Sequence, residues 1–150
     1  MAYEGEDWAF PALLRGARAV FRTAIRAALA DGGYDDLPAN GPFVLGAIVR
    51  TGAPLGVVIR QLGVSKQSGG QLVDTLVARG YLDRQVDPVD RRRLVVVLTE
   101  RGRAAATVVR GAVEEVEQVL ESRVGAADLR TTRRTLAALI NSSSASDDGD

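Results

Sequence analysis

Apolar residues recur at steps of three and four through residues 8–31, where Leu13, Ala17, Val20, Phe21, Ala24, Ile25, Ala28 and Leu29 fall on one helical face. Asp31-Gly32-Gly33 ends this block, and the stretch to Asn40 reads as a loop. Asn40 can cap a second helix, with Pro42 in its first turn where a missing N–H does no harm. That helix carries Phe43, Val44, Ala47 and Ile48 and stops near Thr51-Gly52. A short helix from about Leu55 to Leu62 turns Val58, Ile59 and Leu62 inward. Gly63 breaks it, Ser65 caps the next helix, and Gly80 closes that one just past Ala78 or Arg79. The texture then changes. YLDRQV (81–86) and RLVVVL (93–98) are strand-like, and the turn-rich DPVDRR between them makes a β-hairpin with a charged tip. Thr99 caps a long helix from Glu100 to Val124 with a core stripe of Val109, Val113, Val116, Leu120 and Val124. Gly125 breaks it, and a last helix over 128–140 points Leu129, Thr132, Leu136, Leu139 and Ile140 inward. NSSSASDDGD (141–150) is polar and acidic with nothing to bury, so it is expected to be disordered.

Composition narrows the chemistry. The 150 residues suit a single domain, and they contain no cysteine and no histidine. Disulfides, thiol redox sensing, Cys/His metal sites and histidine-based catalysis are therefore excluded. No carboxylate pair stands at a suggestive spacing, so no catalytic set, cofactor or metal is expected. The acidic start MAYEGEDWAF lacks the features of a signal peptide, and no apolar run approaches a membrane span, which points to a cytoplasmic protein. Net charge is zero, yet residues 60–103 hold nine basic and five acidic side chains. Charge is thus polarised along the chain, with the excess of arginine and lysine in the central segment.

Two helices joined by a glycine-bearing turn, then a hairpin, then a long helix make a winged helix-turn-helix in a mainly α chain. The second helix of such a pair can enter the major groove of double-stranded DNA. Ser65, Lys66, Gln67, Ser68 and Gln71 lie near its start or on that face; glutamine can pair with adenine, and serine and lysine suit phosphate or guanine. Ser65 equally suits a capping role alone. At the hairpin tip, Arg91 or Arg92 can enter a narrow minor groove, with Asp90 placed to orient its neighbour. Arg15, Arg18, Arg22 and Arg26 form a basic stripe that suits phosphates, a solvated face, or pairing with the acidic stripe Glu114, Glu117 and Glu121. Within the second helix Gly69 and Gly70 stand side by side, each costing about 1 kcal/mol relative to alanine. Gly69 is expected to face the preceding helix and Gly70 to lean toward DNA. Closer helix packing, backbone approach to a phosphate, and softening of the helix are three roles open to the pair.

The landmarks LGVS, LVDTLVARGYLDR, DPVDRR and VxLTERG, in order over residues 62–102, resemble the MarR family of bacterial transcriptional regulators. The resemblance implies a homodimer, with helices over 8–31 and 100–140 at the dimer interface and a winged lobe over 40–98. It implies recognition-helix contacts by Ser65, Lys66, Gln67, Ser68, Gly70 and Gln71, and wing contacts by Asp90, Arg91 and Arg92, with Arg92 favoured for the minor groove. Here the chain departs from the family pattern. Gly69 replaces a usual apolar residue, Gly70 a small polar one, and Gln71 a frequent arginine, which bears on sequence specificity more than on DNA binding. The family often binds small ligands, commonly aromatic acids, between the dimer helices and the winged lobe. Phe21, Tyr34 and Phe43, with the arginine stripe, are the residues that would line such a pocket; as plain core aromatics they would need no ligand. The expected function is a sequence-specific regulator, in the first place a repressor, acting on a pseudo-palindromic operator. The alternative is a winged-helix module that binds proteins or ligands with little DNA specificity.

Overall fold

The computed structural model describes residues 7–51 and 54–144. Its elements run α1 (Phe10–Asp31), α2 (Gly41–Thr51), α3 (Leu55–Gln61), α4 (Lys66–Ala78), β1 (Leu82–Val86), β2 (Leu94–Leu98), α5 (Glu100–Val124) and α6 (Ala126–Ser144). This is the mainly helical fold with one antiparallel hairpin that the periodicities predict. No described helix is long and apolar enough to cross a membrane. Contacts divide the chain into two units at Val113.

In the first unit, punctuation by glycine sets the element ends. Gly33, Gly63 and Gly80 adopt φ of +81°, +66° and +78°, the left-handed region that only glycine enters cheaply. After Gly33, the Tyr34 N–H closes on the Leu29 carbonyl at 2.8 Å; after Gly80, the Tyr81 N–H closes on Leu76 at 2.9 Å. The core gathers Leu29, Val44, Leu45, Val58, Leu76, Tyr81, Leu82, Ala105, Ala106 and Val109 from α1, α2, α3, α4, the hairpin root and α5. In the hairpin, Leu82 pairs with Leu98 and Val86 with Leu94. Side chains alternate faces along a strand. Leu82 is therefore buried on the inner face, while Val86 and Leu94 on the same face run out past the body and are exposed.

The stripes of the last two helices are only partly inward. Along α5 the buried face is made of small residues, Gly102, Ala105, Ala106, Val109 and Ala112. Of the expected stripe, Val109 is buried, Val113 and Val116 are half-buried, and Leu120 and Val124 are exposed. In the second unit, Leu129 is buried and Leu136 half-buried, but Thr132, Leu139 and Ile140 are exposed. Periodicity defines an apolar face; it does not say that the same chain covers it. Glu117 pairs with Arg133 of α6 at 2.6 Å, so one member of the acidic stripe finds its partner within its own unit. Gly125, at φ +85°, separates the two helices as expected. Beyond it α6 continues through Ser144, four residues into the stretch expected to be disordered. Helix hydrogen bonds propagate cheaply once the preceding turns are formed. Residues 145–150 lie outside the described residues.

Candidate nucleic-acid interface

Ser65 accepts a hydrogen bond from the Ser68 N–H at 3.1 Å, capping α4, and donates its own hydroxyl to Ser68 Oγ at 3.0 Å. Its capping role is therefore real, and its hydroxyl is occupied inside the turn. Lys66, Gln67, Ser68, Gly70 and Gln71 are all exposed around the first two turns. Among the described residues the side chains of Lys66, Gln67 and Gln71 make no hydrogen bond, while the Gln71 carbonyl accepts from the Thr75 hydroxyl at 2.9 Å. The donors and acceptors of those three side chains are free to meet a partner.

The two glycines separate cleanly. Gly69 is buried, and a Cβ there would overlap Ile59 Cγ2 of α3. Ile59 is β-branched and stiff at χ1, so it cannot swing away at little cost. Gly69 thus serves close packing of α4 on α3. Gly70 has nothing within 4 Å of where a Cβ would stand. Opposite outcomes are expected on alanine substitution. Gly69→Ala should lower stability by about 1 kcal/mol or more, as overpacking outweighs the gain in helix propensity. Gly70→Ala should raise it by about 1 kcal/mol. Thermal melts of the two variants check this, and equal shifts would remove the packing role from Gly69.

The wing is shaped by its aspartates. Asp87 N–H donates to the Arg93 carbonyl at 2.9 Å, closing the loop. The Asp87 carboxylate accepts from Val89 N–H at 2.8 Å, and that of Asp90 from Arg92 N–H at 3.1 Å. Asp90 therefore fixes the backbone under Arg92 and leaves its guanidinium free of it. Arg91, Arg92 and Arg93 are exposed. Arg84 of β1 pairs with Asp74 of α4, tying the hairpin to the helix. At the hairpin root, Thr99 Oγ1 accepts from Gly102 N–H at 3.0 Å, the cap expected of it. Its hydroxyl donates to the Gly80 carbonyl at 2.5 Å, with the Tyr81 carbonyl 3.1 Å away.

Phe21, Tyr34 and Phe43 do come together. They line one cavity of about 740 Å³ between α1, the α1–α2 loop, α2 and α5. Phe43 is 44% exposed, so it is a wall rather than core. Arg18, Arg22 and Arg26 border the same cavity and Arg15 does not, which sets most of the basic stripe beside apolar walls.

One cluster has no counterpart in the sequence reading. Asp36, in the α1–α2 loop, accepts from the Tyr81 hydroxyl and from Arg101 Nη2, the latter at 2.9 Å; its backbone carbonyl accepts from the Arg79 guanidinium. Arg101 also donates to Tyr81 Oη at 3.1 Å and lies over the rings of Tyr81 and Tyr34, 4.7 and 5.5 Å from their centroids. The Tyr81 hydroxyl first, and the Arg101 guanidinium with it, hold the Asp36 carboxyl below the usual carboxylate range. Burial first, then the Asp36 acceptor, push the Tyr81 hydroxyl up. Partners 45 and 65 residues apart leave no periodic or local signal in a sequence.

Residues 36–93 match the MarR family. None of the curated protein sequences matches the chain. Among solved structures, the transcriptional regulator Tm0710 of Thermotoga maritima is 26% identical, with 94% of this chain and 98% of that one covered and a TM-score of 0.56. MepR of S. aureus, solved as a DNA complex, is 19% identical at TM-score 0.70, with 91% and 99% covered. PcaV of Streptomyces coelicolor, solved with its natural ligand, is 18% identical at TM-score 0.66, with 95% and 97% covered. The latter two share the fold.

Proposed function

We propose that this chain, which belongs to the MarR family of winged helix-turn-helix transcriptional regulators, acts as a homodimeric repressor on a pseudo-palindromic operator. The observation that carries the reading is the division of labour on α4. Gly69 does the packing, the side chains of Lys66, Gln67 and Gln71 stay exposed and uncommitted at the helix start, and Ser68 is exposed beside them in its bond with Ser65. That end of α4 enters the major groove. Arg92, presented by the Asp90 turn, reaches the minor groove, where negative potential is strongest. The exposed apolar positions Trp8, Phe10, Leu14 and Val20 at one end of the chain, and Val119, Leu120, Val124, Leu139 and Ile140 at the other, are covered by the second copy. A ligand with an aromatic body and an anionic group occupies the cavity, its charge met by Arg18, Arg22 and Arg26 and its ring by Phe21, Tyr34 and Phe43. By favouring a lobe spacing unlike that of successive major grooves, it lowers DNA affinity. MepR in its DNA complex and PcaV with its natural ligand support the two halves of this cycle.

Selection of bound duplexes from a random pool, followed by a salt titration on the selected site, tests the reading. The expected result is a pseudo-palindrome whose affinity falls steeply with salt, with a log–log slope near −0.9 per phosphate contacted. A flat titration would sink it. The bare surface at Gly70 favours one second reading, a module of low sequence specificity. That reading predicts the same steep salt dependence with no sequence enriched from the pool.

A further inference from the structure

Asp36 sits where the cavity and the DNA-facing elements meet. Its neighbours Tyr34, Asp35 and Leu37 are walls of the cavity. Its own three partners belong to the other side. Arg79 is the C-terminal cap of α4, Tyr81 leads into β1, and Arg101 lies in the first turn of α5. Arg101 doubles the connection, because one guanidinium stacks on Tyr34 of the cavity wall and on Tyr81 at the root of the wing. Side chains bonded through charge-assisted contacts move as a group or lose those bonds. A shift of the α1–α2 loop therefore either breaks the Asp36 contacts or carries the end of α4 and the base of the hairpin with it.

We propose that Asp36 is the joint through which the state of the cavity is transmitted to the recognition helix and the wing. The inference rests on the regulator reading above. Asp36 is a positioning residue: it touches neither DNA nor the interior of the cavity, and it acts through Arg79, Tyr81 and Arg101. Linkage between two sites is reciprocal. DNA bound at α4 must then be felt in the α1–α2 loop, and that signal must pass through Asp36.

Amide hydrogen exchange on the full-length protein, with and without the duplex selected by the wild type, reads the connection directly. In the wild type, saturating duplex should slow exchange of amides 34–40 by about fivefold or more. In Asp36→Ala, duplex should still protect α4 and the wing, while protection of 34–40 is lost. Tyr81→Phe keeps the Arg101–Asp36 contact and the buried ring and removes the two bonds of the hydroxyl, to Asp36 and from Arg101, so it should lose part of that protection; it serves if Asp36→Ala melts too low to assay. A merely structural role would lower the melting temperature and leave the loop response to duplex intact. Equal loop protection in wild type and both variants overturns the joint, as does a wild-type loop that ignores bound duplex. Failure of the wild type to bind any duplex overturns the regulator reading itself and the joint with it.

Discussion

Replacing Gly102 with alanine should lower the melting temperature by about 5 °C or more, corresponding to a loss of roughly 2 kcal/mol or more. Gly102 is the third residue of α5 and is buried against the hairpin root. A Cβ there would overlap the carbonyl oxygen of Tyr81, and would stand 3.1 Å from Leu98 Cδ2. Alanine ordinarily favours a helix over glycine by about 1 kcal/mol. Here that gain is outweighed, because the obstacle is backbone and cannot rotate aside. The Tyr81 carbonyl is held in place by the Thr99 N–H at 3.2 Å, and the Thr99 hydroxyl holds the preceding Gly80 carbonyl at 2.5 Å. To admit the methyl group, α5 must retreat from β1, loosening the Thr99 cap and Tyr81 with it. A thermal melt reads the effect, and an unchanged or raised midpoint would show that the two elements separate freely.

Arg92→Ala should weaken binding to most duplexes by about 1–3 kcal/mol, roughly 5- to 150-fold, and reduce the salt slope by about 1. The stability of the free protein should not change. Arg92 is exposed, and what the fold uses at this position is its backbone N–H, which Asp90 accepts. Removing the guanidinium leaves that turn intact and takes away only what reaches outward. Titration of the selected site at several salt concentrations separates the two contributions. Unchanged affinity would remove the wing from the DNA-binding surface.

What the sequence made legible was local. Ser65 and Thr99 announce helix starts because a side-chain oxygen can reach an N–H three residues on, and both do so. Gly63, Gly80 and Gly125 announce breaks because left-handed backbone is cheap only for glycine, and all three adopt it. Gly69 was placed toward α3 by helical spacing alone, and it packs there. Spacing put Phe21 and the arginine stripe on different faces of α1, and it was the family resemblance that grouped them with Tyr34 and Phe43; Phe21, Arg18, Arg22 and Arg26 border one cavity with those two aromatics. Two kinds of fact escaped. Leu120, Val124, Leu139 and Ile140 look like core by period, yet they are exposed. A repeat encodes a face, and its cover is a separate matter. The Asp36 cluster escaped because an aspartate in a loop, a tyrosine beside a glycine and an arginine in a first turn are each unremarkable until tertiary structure joins them.

The tip of the wing offers a vantage point of its own. Val89 is 93% exposed, and its N–H, held by the Asp87 carboxylate, is the backbone group that anchors it. A side chain so placed can be exchanged for a spin label without disturbing the fold, and the cysteine-free chain supplies no competing thiol. With one label per chain, a dipolar signal arises only between two chains. Its distance would report how far apart two wings are held, in free solution, on duplex, and as the cavity fills.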